Sequence, residues 1–106
     1  MKFLNFGSLN LDMVYSVDHT VRPGETVASA KLDYFCGGKG LNQSIALARA
    51  GAKVFHAGCV GEDGKRLTDK LTGNSVDVSF VHKSKLPSGH AIIQVDKNGQ
   101  NSILIF

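Results

Sequence analysis

Residues 36–43 read Cys-Gly-Gly-Lys-Gly-Leu-Asn-Gln, and an apolar run follows directly. Gly37, Gly38 and Gly40 leave the backbone bare and free to turn. Lys39 brings a positive charge, and Asn42 and Gln43 supply amides where a helix should begin. Backbone N–H groups at a helix start, joined by a lysine and two amides, suit one small polar or anionic ligand. The competing reading is a helix-opening loop whose glycines serve only tight packing. Two other glycine motifs do not fit. A phosphate-binding P-loop requires a glycine five residues before its Gly-Lys pair and Ser or Thr after the lysine; Asp33 and Gly40 stand at those places. The dinucleotide fingerprint G-x-G-x-x-G fails at its third glycine, where Gln43 stands.

A second pair of polar residues, Asn10 and Asp12, follows the first apolar run at alternate positions. In an extended segment, i and i+2 point the same way, so both side chains can meet one ligand. A carboxylate accepts two hydrogen bonds and an amide both donates and accepts, which suits vicinal hydroxyls. The alternative is a turn in which Asn and Asp bond their own backbone. Ligands of open α/β sheets bind beyond the carboxyl ends of the strands. Asn10 and Asp12 sit at such an end and residues 37–43 open a helix of the same layer, so the two segments can converge on one cleft.

The elements that must position these residues follow from the apolar pattern. Residues 3–6 form a short buried strand, and residues 8–12 a polar loop after it. An extended pattern resumes at 13–17, Arg22-Pro23-Gly24-Glu25 is a turn, and 26–35 reads as another strand. Residues 41–50 are rich in helix formers and stop at Gly51; their apolar positions spread around the axis, predicting a helix buried on most sides. Residues 53–60 read as a central strand. Asp63 can cap a helix that carries Leu67 and Leu71 at i, i+4 spacing and ends at Gly73-Asn74, and 76–81 read as a strand. Asn98-Gly99 between apolar runs 90–95 and 102–106 is a hairpin signal. Strand–helix–strand–helix–strand alternation predicts a parallel α/β layer. The extended pieces around Met13 and Ala28 and the last hairpin fall outside it and predict a separate small sheet.

Composition narrows the function classes. The 106 residues allow one small domain with one core. A net charge of +3 comes from scattered basic residues without a Lys/Arg run, which argues against nucleic acid as a partner. Cys36 and Cys59 lack C-x-x-C spacing and a secretory context, so reduced thiols and a cytoplasmic location are expected. His19, His56, His82 and His90 have no metal-ligand spacing and read as surface or half-buried residues. The first residues turn polar too soon for a signal peptide, and no apolar run approaches a membrane span, so no membrane partner is expected.

Four segments together resemble the ribokinase-like (PfkB) carbohydrate kinases: Gly7-Ser8-Leu9-Asn10-Leu11-Asp12, Pro23-Gly24-Glu25-Thr26, Gly37-Gly38-Lys39-Gly40-Leu41-Asn42-Gln43, and Gly58-Cys59-Val60-Gly61-Glu62-Asp63. They occur in the family's order and spacing over essentially the whole chain. The Gly-Gly-Lys-Gly-x-Asn-Gln form is most similar to ribokinases proper. The resemblance implies a three-layer, Rossmann-like α/β fold with a small β-sheet lid, and ATP-dependent phosphorylation of a sugar hydroxyl, with a ribose-like sugar favoured. By the same resemblance Asn10 and Asp12 bind sugar hydroxyls and Gly38, Lys39, Gly40 and Asn42 form the second sugar-binding segment. Ala91 and Ile105 line the sugar's apolar face from the lid. Leu41 and Ser44 depart from the family's small alanines, and Ser88 replaces a frequent Thr before Gly89.

What the resemblance places outside these residues matters equally. The family's catalytic aspartate, its glycine-rich anion hole and its nucleotide site belong to a C-terminal half. Asp63 and Asp77 have no glycine-rich helix start after them, so no catalytic residue and no metal ligand is assigned here. Residues 1–106 are therefore expected to be the N-terminal part of such a domain, with lid strands at about 13–35 and 90–106, and ATP with Mg2+ is expected to bind beyond Phe106. The family leaves room for a monovalent cation. In the resembled family lid strands often pair across a dimer, so the resemblance implies a homodimer through those strands. The chain ends inside an apolar strand, which reads as the front part of a longer protein, inactive alone. The alternative is a non-catalytic sugar-binding or assembly module of the same fold.

Overall fold

The computed structural model describes all residues, Met1–Phe106. The chain divides into two compact units: Met1–Leu11 with Cys36–Gly89, and Asp12–Phe35 with His90–Phe106.

The first unit is an α/β layer. Strands β1 (Lys2–Phe6), β4 (Lys53–Val60) and β5 (Asp77–Lys83) form a parallel sheet in the order β1-β4-β5. Register pairs Leu4 with Phe55 and Asn5 with His56 across β1 and β4, and Cys59 with His82 across β4 and β5. Helices α1 (Lys39–Arg49) and α2 (Lys65–Thr72) cover one face. Parallel strands need crossovers long enough to cover the sheet, and α2 between β4 and β5 is one. The core is Leu9, Leu41, Ile45, Val54, Val60, Leu67, Leu71 and Val76. Leu67 and Leu71 are completely buried because i, i+4 spacing puts them on one stripe of α2. The sheet's other face is open: Leu4, Phe6 and Phe80 are exposed, and Phe80 rests on the Phe55 ring at 6.0 Å.

Four expectations for this unit need correction. Strand β1 is not buried: Phe3, Leu4 and Phe6 are all exposed, because nothing covers the open face of the sheet. Helix α1 is not buried on most sides; only Gly40, Leu41, Ser44 and Ile45 are buried, along one stripe. The apolar residues around the rest of it are mainly alanines, which serve helix propensity rather than burial. Asp63 does not cap α2, which starts from Gly64 with no side-chain cap. Its carboxylate accepts the Ser88 N–H at 2.9 Å instead. His56 is neither a surface nor a half-buried residue: it is completely buried, with both ring nitrogens hydrogen-bonded. Helix α1 ends as expected, with the Gly51 N–H on the Ala48 carbonyl and the Ala52 N–H on the Leu47 carbonyl.

The second unit is built on a four-stranded sheet, in the order β3 (Lys31–Gly37), β2 (Asn10–Ser16), β6 (Gly89–Val95), β7 (Asn101–Ile105). The chain passes between the units within β2, β3 and β6. The predicted hairpin is present: β6 and β7 are antiparallel, and Asp96 closes the turn by accepting the Asn98 and Gln100 N–H groups on Oδ1. The Pro-Gly turn is present too, with the Glu25 N–H on the Arg22 carbonyl at 3.0 Å. Two boundaries differ. Asn10 and Asp12 open a strand rather than lie in a loop, because sheet pairing outweighs their turn preference. The strand expected at 26–35 runs Lys31–Gly37. Ala91 is the one buried hydrophobic residue of this unit.

Candidate functional site

In the α/β unit the glycine segment meets the end of β1 backbone to backbone. A Cβ on Gly7 would lie 2.7 Å from the Gly40 Cα, and one on Gly40 would run into the Gly7 carbonyl carbon and the Ser8 nitrogen. Gly38 has φ +99°, and a Cβ there would lie 2.5 Å from the Ser8 carbonyl oxygen. That same oxygen accepts the Leu41 N–H at 3.0 Å. Residues 7–8 and 38–41 therefore form one seam that only glycine permits. This contact accounts for the missing side chain at Gly40, as the packing reading of the glycines expects. Helix α1 starts at the seam with no side-chain cap and no acidic residue in its first turn. The Leu41 N–H is thus already taken by Ser8, and the dipole of the helix start favours anionic or hydroxyl ligands at the N–H groups that remain.

The seam borders a cleft of about 600 Å³ at the carboxyl ends of β1, β4 and β5. Gly7, Ser8, Asn10, Cys59, His82 and Gly89 are among its lining residues. Asn10 is half-buried there; a Cβ on Gly89 would come within 2.6 Å of its Oδ1. Lys39 and Asn42 are both exposed, at the first turn of α1. Sequence reasoning missed Ser8, Cys59 and His82 as cleft residues. The register pair Cys59–His82 becomes visible only once β4 and β5 are aligned.

Beneath the seam lies a buried polar relay. The Asn5 amide Nδ2 donates to the Gly40 carbonyl and to Ser44 Oγ, each at 2.9 Å. Ser44 Oγ is 2.7 Å from His56 Nδ1, and His56 Nε2 is 3.0 Å from the Gly7 carbonyl. A carbonyl only accepts, so Nε2 carries the proton and Nδ1 accepts from the Ser44 hydroxyl. Burial pushes the His56 imidazole down from its ordinary value, against the raising effect of the Gly7 bond, which fits a neutral ring. A serine and a histidine at otherwise apolar positions of a helix and a strand were the available signal.

The remaining expected site residues belong to the sheet unit. Asp12 is half-buried on β2, and burial pushes its carboxyl up. Ala91 and Ile105 are direct cross-strand partners of β6 and β7; Ala91 is buried and Ile105 exposed. No group of three or more His, Cys, Asp or Glu side chains gathers in a way that could hold a metal ion. No helix is long and apolar enough to cross a membrane.

Residues 2–106 match the pfkB family of carbohydrate kinases. The chain belongs to that family. Among curated relatives, it is 39% identical over 102 residues to a ribokinase of Haemophilus influenzae, covering 93% of this chain and 33% of that protein. To a ribokinase of Bacillus subtilis it is 38% identical over 102 residues, covering 93% and 34%. The chain thus spans about a third of the length of these relatives. Among solved structures, ribokinase from Cryptococcus neoformans in complex with ADP superposes with TM-score 0.93 at 38% identity, over 99% of this chain and 34% of that one. Arabidopsis thaliana ribokinase complexed with ribose and ATP gives 0.87 at 30% identity, over 97% and 35%. The mixed α/β architecture with its parallel sheet is the fold of these carbohydrate kinases.

Proposed function

We propose that the chain is the sugar-binding N-terminal part of an ATP-dependent kinase that phosphorylates a hydroxyl of a ribose-like sugar. The observation that carries this reading is the glycine seam, where the Gly7–Asn10 segment and the start of α1 meet beside an open cleft. Two sequence-distant polar segments are locked together where α/β folds bind ligands. Family membership supports the chemistry, and the ribokinases among the relatives support ribose.

In this reading Asn10 and Asp12 bind sugar hydroxyls, and Asp12 is suited because a partly desolvated carboxylate lacks the donors that hydroxyls supply. Gly38 and Gly40 serve through their backbone, Asn42 through its amide, and Lys39 as a charge for the sugar or a phosphate. Ala91 and Ile105 are assigned, by family resemblance, to contacts with the sugar's apolar face. Phosphoryl transfer is mostly positioning and electrostatics, and these residues supply the positioning of the acceptor. ATP with Mg2+, any monovalent cation and the catalytic base are assigned to no residue of this chain. A homodimer formed through the sheet strands belongs to the same proposal.

The test is a coupled ADP-release assay on the intact protein with ribose and a panel of other sugars, beside calorimetric sugar binding. Ribose-dependent ADP release is expected, with sugar binding but no turnover by residues 1–106 alone. Tight sugar binding without ADP release in the intact protein would favour a non-catalytic sugar-binding module. Absence of any sugar binding would overturn the reading.

A further inference from the structure

We propose that Asn5, Ser44 and His56 are positioning residues of the sugar site, clamping the two sides of the glycine seam from beneath. The inference deepens the sugar-binding reading and rests on it. One residue comes from each of the three elements under the seam: Asn5 from β1, Ser44 from α1 and His56 from β4. The relay ends on the Gly40 carbonyl at one side and the Gly7 carbonyl at the other, and these are the two glycines whose backbones touch. Ser44 and His56 are completely buried, and neither lines the cleft, so neither can touch a sugar there.

The proton arrangement is unique along the relay. Asn5 donates twice, Ser44 accepts from Asn5 and donates to His56 Nδ1, and His56 donates through Nε2. Every member is satisfied, and no buried side-chain polar atom in the chain lacks a partner. Such a network specifies one arrangement, because removing a member leaves the next one buried and unpaired. Apolar side chains at 44 and 56 would fill the same space, but would release the Gly7 carbonyl and leave the Asn5 amide on the Gly40 carbonyl without its second partner. Gly7 leads to Ser8 and Asn10 in the cleft, and Gly40 directly follows Lys39 and lies two residues before Asn42. Fixing both carbonyls fixes the spacing between the two sugar-binding segments.

The test uses Ser44→Ala, His56→Leu and the conservative His56→Gln in the intact protein. Calorimetry reads ribose affinity, and hydrogen exchange reads the Leu41 amide, whose bond to the Ser8 carbonyl spans the seam. Loss of a buried partner is expected to weaken ribose binding about tenfold in Ser44→Ala and His56→Leu. Leu41 exchange should quicken in both variants. His56→Gln, which keeps a donor for Gly7, should recover most of the affinity and protection. Wild-type affinity and protection in folded Ser44→Ala and His56→Leu would overturn the clamp and leave the sugar reading intact. If the unsubstituted protein binds no sugar, the sugar reading fails and takes the positioning role with it. Leu41 exchange then reports only whether the seam is clamped at all.

Discussion

Each unit holds one histidine by both ring nitrogens, and the two are held by opposite means. His56, in the α/β unit, is completely buried and bonds only neutral groups, Ser44 Oγ and the Gly7 carbonyl. Burial pushes its imidazole down. His19, in the sheet unit, keeps about a third of its side chain in solvent and bonds carboxylates, Glu25 at 2.9 Å and Asp18 at 3.3 Å. Those bonds, Glu25's first, push its imidazole up. The contrast extends to the whole units. The α/β unit has a contiguous core and backbone contacts that admit no Cβ. The sheet unit buries only Ala91 among its hydrophobic residues, and is tied by strand pairing, turns and surface charge. Burial fixes geometry at a cost that is repaid only when every polar group is satisfied; surface charge holds a segment while leaving it free to adjust.

The sharpest way to break this comparison is to make the same substitution in both units. Leu71→Ala removes a completely buried side chain and should cost about 2–5 kcal/mol. Leu104→Ala removes a side chain that is 68% exposed and should stay within about 0.5 kcal/mol. Urea unfolding of both variants checks this, and equal losses would dissolve the distinction.

Next in size is the seam. Gly40→Val drives a side chain into the Gly7–Ser8 backbone, which has no flexible end to give way, and should cost about 1–3 kcal/mol together with sugar affinity. Lys65→Ala, which removes only an exposed ion pair with Asp69, is the matched control and should change neither. Equal calorimetric affinities for the two variants would separate the seam from the site.

Asp12→Ala carries the comparison into the sheet unit. It should lower ribose affinity at least about tenfold, roughly 1.4 kcal/mol, with little change in the urea midpoint. A fall in stability with unchanged affinity would make Asp12 a structural residue.

The smallest effect is on pH, and its signs oppose. The folded imidazole of His56 lies below its unfolded value, so its stability is fully present above about pH 6.5 and is lost as pH falls below that. The folded imidazole of His19 lies above its unfolded value. Its stability is fully present below about pH 6.5 and is lost as pH rises through the folded value. Urea midpoints between about pH 5 and pH 8 should therefore slope differently in His19→Gln and His56→Gln. Parallel slopes would remove the contrast between the two histidines.

Local signals carried much of the fold. Apolar runs located β1, β4 and β5, the Leu67–Leu71 spacing located α2, and Asn98-Gly99 located the last hairpin. What stayed hidden depends on distant partners. Asp63 is a good cap by type, but Ser88, far along the chain, takes its carboxylate. Asn10 and Asp12 look like turn residues until pairing in the sheet makes them a strand. His56 looks like a surface or half-buried residue because its burial depends on Ser44 and Gly7, from elements remote in sequence. At the candidate site the glycines were legible as a cluster. Their contact with Gly7 and Ser8 was not, because a backbone-to-backbone approach leaves no side-chain pattern.

The most direct test of the proposed two-segment sugar site is a ribose titration of isotope-labelled protein followed by amide resonances. Saturable shifts are expected at Gly38, Gly40 and Asn42, and at Asn10 and Asp12, all with one dissociation constant. Shifts confined to one of these segments, or saturation centred instead on the separate groove around Glu62, Lys85 and Leu86, would contradict that proposal.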